Sequence, residues 1–339
     1  MNMKKPAFIF LFWIQAGFLF AQLNDSYHFL DLPVGARVAG LGGVIASSTD
    51  QDVNLFLSNP ALLDSADDNH VSWSHLGYYA DVKYNTLAYA KTFERAGTFG
   101  IGIQHLGYGT IDSYDPAGNS VGTFDASETA VVISHSHQLG LFKLGANLKY
   151  AYSGIYTYHS SALAMDIGGS FIHPEKELVV SILFKNLGFV MSDYSDTSDS
   201  SLPTDLQVGL TFKPEHMPFR FSFTGHNLLH PSENYFDESM NDGTEEPGVV
   251  DRFFRHVNIG TEILFSPNFN VRLGYNHQVR KELSLSEKSG LSGMSLGVMA
   301  RVKAFELSYT FTTYHVDGGR SYFTITSNLN RVFKKKSII

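Results

Sequence analysis

The chain has 339 residues, a formal charge of −8 and 0 Cys. The lack of cysteine excludes disulfide staples, Cys-ligated metals and an N-terminal lipid on cysteine. The acidic balance argues against nucleic acid as a partner, because a polyanion selects basic surfaces.

Residues 1–21 read as an export leader. Lys4 and Lys5 form a charged start, Ala7 to Phe20 is an apolar run broken only by Gln15, and Leu19-Phe20-Ala21 precedes Gln22 as a cleavage site. The run is short for a spanning helix. Loss of Lys4 and Lys5 leaves the mature chain more acidic still.

Residues 22–68 do not alternate. They contain Phe29-Leu30-Asp31-Leu32-Pro33-Val34-Gly35-Ala36-Arg37, then Gly40-Leu41-Gly42-Gly43, then Asp50, Asp52 and Asn59-Pro60-Ala61-Leu62-Leu63. Glycine permits tight packing and positive φ, and Pro60 forces an extended or turning approach. A compact hatch threaded into a barrel lumen would have this composition. A periplasmic tail, the other reading, should be poorer in Leu and Gly-Gly.

Residues 69–333 alternate apolar and polar side chains in about fourteen segments, the pattern of an outer-membrane β-barrel. In 206–212, Leu206, Val208, Leu210 and Phe212 alternate with Gln207, Gly209 and Thr211. The same period runs through 219–224, 257–263, 269–276 and 305–311. Successive side chains point to opposite faces, so each segment has a greasy face and a wet one. The expected fold is all-β: a transmembrane barrel of about 14 antiparallel strands, exported through the periplasm to the outer membrane and in contact with its lipid.

Connector lengths agree with that reading. Those near 94–97, 138–142, 173–177, 213–218, 265–268 and 302–304 are short. Those at 108–125, 153–160, 189–204, 229–252 and 277–292 are expected to be mostly long. Short inner turns and long outer loops are the bacterial outer-membrane arrangement. Thr98 to Tyr114 and Ser120 to Ser136, joined by Asp115-Pro116-Ala117-Gly118-Asn119, make either one tall hairpin or a hairpin with a folded-back tip. The last strand is expected from Arg320 to Phe333, and a basic tail, 334–339, follows it.

The run Pro33-x-Gly35-Ala36-Arg37-x-x-Gly40-Leu41-Gly42-Gly43, with Asn59-Pro60-Ala61-Leu62-Leu63 downstream and a barrel behind it, resembles the FadL-type superfamily of outer-membrane proteins. Within it the chain is similar to the branch that serves type IX secretion, the PorQ and PorV group. The hairpin tip from Asp115 to Gly122, Asn147-Leu148-Lys149-Tyr150, Asn186-Leu187-Gly188 and Asn227-Leu228 carry that likeness. The resemblance implies a 14-stranded barrel with a luminal hatch built on Gly35, Arg37, Gly40, Gly42, Gly43, Asn59 and Pro60. It also implies a surface attachment complex that joins secreted proteins to lipopolysaccharide, with a sortase-like peptidase (PorU), PorV and PorZ as partners.

The wet faces carry Lys149, Lys185, Arg220, Arg272 and Arg301 against Glu262 and Glu306. On the lipid face an Arg or Lys at mid-bilayer costs about 2–4 kcal/mol, so these belong to the lumen. They either form a network holding the hatch, with Arg37 and Asp50, or line a selective channel. The first is favoured because buried charges are normally paired. His135 and His137 share a strand face, but two nitrogens without a third ligand do not make a metal site.

The connector 230–251 holds Glu233, Tyr235, Phe236, Asp237, Glu238, Asp242, Glu245 and Glu246 and lacks Lys and Arg. It is read as a partner-docking loop, with a hard-cation site or a plain solvated loop as the other readings. No nucleophile elbow, HExxH or phosphate loop occurs, and no enzyme, cofactor or metal site is expected. Docking of surface partners is the first functional reading. Transport of small hydrophobic molecules is the second, and it calls for an apolar outer capture surface.

Overall fold

The computed structural model describes residues 26–78, 81–229, 248–283, 290–315 and 318–333. The leader, the docking-loop residues Glu233 to Glu246 and the tail 334–339 lie outside the described residues. Fourteen strands follow one another: β1 (His70–Gly77), β2 (Lys83–Phe93), β3 (Gly97–Tyr114), β4 (Ser120–Leu139), β5 (Phe142–Ile155), β6 (Tyr158–Ile172) and β7 (Leu178–Ser192). The second half holds β8 (Asp205–Phe212), β9 (Phe219–Gly225), β10 (Val257–Ser266), β11 (Phe269–Asn276), β12 (Met294–Val302), β13 (Phe305–His315) and β14 (Gly318–Asn328). Each pairs antiparallel with its sequence neighbours, and β1 pairs with β14 from His70↔Asn328 to Gly77↔Ser321. The sheet is therefore a closed barrel, and closure removes its edges.

Alternation sets which side chains face in. Along β5, Lys143, Asn147, Lys149 and Ser153 are buried, while Phe142, Leu144, Leu148, Tyr150 and Tyr152 are exposed. This inverts the pattern of a water-soluble core and suits a wall solvated by lipid tails. The short connectors 94–96, 140–141, 173–177, 213–218, 267–268 and 303–304 gather at one end. The end with the long connectors is called the outer end below.

The third and fourth strands form one tall hairpin. β2 pairs with β3 only as far as Gly107, and β5 with β4 only as far as Ala126. Beyond those points β3 and β4 pair with each other alone, up to Tyr114↔Ser120. The tip is fixed by the Asp115 carboxylate, which accepts from Ala117 N (2.9 Å) and Asn119 N (2.8 Å).

Three expectations are corrected. The connector at 153–160 is not long: β5 and β6 are separated by Tyr156 and Thr157 alone. Tyr156 takes the left-handed conformation (φ 57°), so the turn carries no glycine to announce it. The last strand stops at Asn328 rather than Phe333, because its partner β1 has no residue before His70 in the ladder. The Asn328 side chain then caps a helical turn, α4 (Leu329–Val332), by accepting from Arg331 N. The outer connectors also hold two helices where loop was expected, α2 (Val249–Arg255) and α3 (His277–Leu283).

Residues 26–68 pack within the ring. They form one short α-helix, α1 (Ala36–Gly40), and single 3-10 turns at His28–Asp31, Val53–Leu57, Pro60–Leu62 and Ser65–Asp67. α1 touches β11 to β14, and the Pro60–Leu62 turn touches β4 to β6 on another sector. Gly145 and Gly168 stand opposite each other on β5 and β6. A Cβ on Gly145 would meet the Pro60 carbonyl, and one on Gly168 would meet the Asn59 side chain. Gly145→Val should therefore leave the heat-modifiable barrel band on gels intact while exposing residues 58–66 to protease. Unchanged protection of that stretch would refute the packing.

Candidate functional site in the barrel lumen

The backbone hydrogen bonds within the N-terminal segment are confined to single turns, and side chains of the wall meet several of the groups left over. Ala36 N donates to Thr324 Oγ1 (2.9 Å), and Thr310 Oγ1 donates to Ala36 O (2.6 Å). Asn258 Nδ2 donates to Leu41 O (2.9 Å) and Val44 O (2.7 Å), and Ser295 Oγ to Gly40 O (3.1 Å). The alternation put these wall residues on wet faces, but their receptor role was not foreseen. Polar side chains at inward positions opposite a glycine-rich run were the available signal.

The motif glycines are placed by contact. Gly42 and Gly43 have φ of 96° and 99°, which a side chain disfavours. Gly35 sits against Ser74 and Thr324, and Gly40 against Thr310 and Arg272. Asn59 caps the Pro60 turn by accepting from Ala61 N (3.0 Å), and its amide donates to Ala46 O (2.7 Å).

At the middle of the lumen lies a charge cluster. Glu262, 1% exposed, accepts from Arg220 Nη1 (2.8 Å), Arg37 Nη2 (3.1 Å) and Arg272 Nε (3.3 Å). Asp50 lies 3.3 Å from Arg220 and 3.8 Å from Arg37. Arg37 and Asp50 belong to the N-terminal segment, so the cluster ties it to β9, β10 and β11. Two further pairs stand apart. Lys149 meets Asp166 (2.7 Å) inside the wall, and Lys185 meets Asp31 of the segment (2.8 Å). Asp31 and Asp166 were missed as partners. Arg301 and Glu306 pair with each other (2.6 Å) beside the 303–304 turn, away from the cluster.

The outer half of the lumen is apolar over one sector. Leu76, Tyr84, Leu106, Ala130, Ala151, Ala162, Ala164 and Tyr322 of the wall surround Tyr27, Phe29 and Leu30 of the segment. Beside it, a cavity of about 180 Å³ has Asp31, Lys185, Asp205, Gln207 and His226 on one side and Leu32, Val34, Val38 and Ile45 on the other. Outside the wall, His135 Nε2 pairs with the Ala96 carbonyl (2.7 Å), and its ring packs on Phe99. Among the described residues no cluster of three or more His, Asp or Glu could hold a metal.

At the outer end, α2 and α3 are joined through Asp251. Its carboxylate meets Arg255 Nε (2.9 Å), His277 Nε2 (2.8 Å) and Lys281 Nζ (3.2 Å). Burial opposes the charge of Asp251, but hydrogen bonds from His277, Arg255 and Lys281 outweigh it and hold the pKa down at about 2.

No protein-family model matches this chain, and no curated protein matches it by sequence. Solved structures do match. The toluene transporter TodX of Pseudomonas putida is 11% identical, with 91% of this chain and 98% of that one covered, at a TM-score of 0.51. A deletion mutant (ΔS2S3) of the TodX monoaromatic hydrocarbon channel is 12% identical over 86% of this chain and 97% of that one, at 0.50. A FadL homologue of Pseudomonas aeruginosa is 10% identical, covering 86% and 98%, at 0.43. The likeness is one of fold: this chain is a closed fourteen-stranded antiparallel barrel of the outer-membrane kind.

Removing Glu262 would leave three arginines without their shared partner, and breaking one partner of a buried ion pair costs about 3–5 kcal/mol. Glu262→Gln should lower the temperature at which the folded gel band disappears and release the N-terminal segment to protease. An unchanged transition would refute the cluster's role. For Asp251 the folded pKa is depressed, so its contribution is full above the unfolded value of about 4 and fades as pH falls through about 2. Hydrogen exchange should find α2 and α3 equally protected at pH 7 and pH 5, and Asp251→Asn should loosen both at either pH. Loosening of the native protein between pH 7 and 5 would contradict the assignment.

Proposed function

We propose that this chain is a non-enzymatic outer-membrane barrel that takes up small hydrophobic compounds, in the manner of a FadL-type channel. In this reading residues 22–68 are the hatch. The observation that carries it is the apolar chamber in the outer half of the lumen, filled by Tyr27, Phe29 and Leu30. A lumen serving only water or ions has no use for a sector of Leu, Ala and Tyr facing inward. The chain's own aromatic residues occupy the place where an apolar guest would sit, so withdrawal of residues 26–32 makes a binding site. TodX, whose fold the chain shares, is described as a toluene transporter.

A second reading remains the PorQ-type one: docking of PorU, PorV and PorZ in a type IX attachment complex anchored in outer-membrane lipid. The tall β3–β4 hairpin favours it, since its upper part pairs with no other strand and presents Tyr114 and Val121 well exposed. The candidate docking loop 233–246 would serve the same end.

The two readings separate experimentally. A purified barrel lacking residues 22–34 should bind an apolar fluorescent probe such as 1-N-phenylnaphthylamine about tenfold more tightly than the full mature chain, because its own side chains no longer compete. Absence of binding in both forms would sink the transport reading. Affinity purification from native membranes in mild detergent should recover a surface peptidase and its associates if docking is the role, and recover them poorly once residues 110–123 are replaced by a short turn.

A further inference from the structure

The cavity of about 180 Å³ beside the outer chamber lies between the N-terminal segment and the wall. Its wall side stands at the outer end of the barrel: Asp205 begins β8, His226 follows β9, and Asn276 ends β11. Its other side is apolar, with Val34, Val38 and Ile45 of the segment. An engineered apolar cavity of about 150 Å³ holds benzene, so this one has room for about six to eight non-hydrogen atoms.

Two side chains of its lining carry unsatisfied atoms. Asp205, 6% exposed, accepts from Gln207 Nε2 through Oδ2 (2.8 Å), and the Asn227 backbone N–H also faces the carboxylate. Its buried Oδ1 has no hydrogen-bond partner among the described residues. His226, 4% exposed, likewise has a buried Nε2 without a partner among them. Burial, with His256 beside it, pushes the His226 pKa down to about 4, so the ring is uncharged at neutral pH. Its hydrogen bond with the Asn227 side chain favours the charged ring, so the ring donates there and Nε2 is left as an acceptor. The charged lining is two carboxylates, Asp31 and Asp205, against one ammonium, Lys185, which pairs with Asp31 (2.8 Å). The cavity thus presents two buried acceptors, an excess of negative charge and an apolar side. Acceptors without donors and carboxylates without cations are costly once buried.

We propose that this cavity binds a small primary amine with an apolar body, its ammonium donating to Asp205 Oδ1 and His226 Nε2. An ammonium carries several donors on one atom and offsets the excess charge. A neutral alcohol has a single donor and leaves the carboxylate without a cation. A carboxylate ligand would bring charge of the wrong sign to Asp205. A bare ammonium ion would leave Val34, Val38 and Ile45 unused. The cavity is open with residues 26–32 in place, so this inference depends neither on their withdrawal nor on the uptake reading.

The test titrates the full mature protein in mild detergent with benzylamine, benzyl alcohol or benzoate, followed by ligand-observed NMR, with ammonium chloride as a competitor. Benzylamine should bind about tenfold more tightly than benzyl alcohol, the scale of one charge-assisted contact. Benzoate should not bind, and ammonium chloride at the concentration of the amine should not displace it. Asp205→Asn should bring amine and alcohol to about equal affinity while the folded gel band is kept. Ile45→Trp, which fills the apolar side, should abolish binding of both, and Val34→Trp serves the same purpose if that variant does not assemble. The comparison among ligands needs only the wild type, so it decides even where a variant fails to fold. Absence of amine binding, or equal affinity for amine and alcohol, would overturn the proposal. So would binding of benzoate, displacement by ammonium chloride, a preference that survives Asp205→Asn, or unchanged amine binding in the Trp variants.

Discussion

A chain enclosed by a closed sheet must find partners for its backbone, and this requirement organises the lumen. Buried N–H and C=O groups that lack a partner are costly. Residues 26–68 make only single helical turns, so many of their polar groups are left over. Thr310, Thr324, Asn258, Ser295 and Asn147 reach from the wall to meet them. Glycines on the same faces supply the room: Gly260 and Gly274 lie so close to Leu41 and Gly42 that a Cβ on either would collide. The polar positions and the glycine positions of the wall form one receptor for one segment.

Charge adds direction to this fit. Glu262 faces three guanidinium groups, and Asp50 adds a second carboxylate at contact distance. Charge removed from water is tolerable only when well paired. Arg37 and Asp50 therefore share one place in which each meets an opposite charge, and that fixes how the segment enters the ring. Lys149 and Asp166 show the contrasting arrangement. Both are wall residues, fully buried, and Asn186 completes the set through its Oδ1 (2.8 Å from Lys149). That pair lies within the wall, and its neighbours carry it to the segment: Asn186 donates to Asp31 (3.2 Å), and Asn147 donates to both Asp166 and Phe56 O (2.8 Å each).

Much of the wall was legible in the sequence because alternation has a period that survives without tertiary context. The facing of Lys149, Arg220, Glu262 and Arg272 followed from parity alone. What escaped has a common cause in long-range contact. α2 is seven residues long, too short to declare itself, and its Asp251 is held from 26 and 30 residues away by His277 and Lys281. The parity of Leu329 and Phe333 continues past Asn328, but a strand ends where its neighbour ends, and no pattern within one strand records that. The turn at Tyr156 is silent because a left-handed tyrosine leaves no compositional mark. Asp166 sits between Met165 and Ile167, and the ladder places it opposite Asn147, one diagonal step from Lys149.

Both parts of the N-terminal segment pack on the wall through apolar clusters, but they differ in the number of directional bonds. From Gly35 to Asp64 an apolar cluster of Val38, Leu41, Ile45, Leu55, Phe56 and Leu57 is joined by many directional contacts: side chain to backbone bonds, the Glu262 cluster, and an ion pair between Asp64 and Lys143. Each has a narrow geometry, and together they lock one arrangement. From Tyr27 to Leu32 the contacts are mainly apolar, with Tyr27 on Ser160 and Asp31 on Lys185 as the polar exceptions. Apolar contact is non-directional, and it is indifferent to whether a tyrosine or a guest molecule fills the space. The stretch ahead of Gly35 is thus positioned mainly by shape and the stretch behind it by shape and direction together, with the boundary at the glycine that precedes α1.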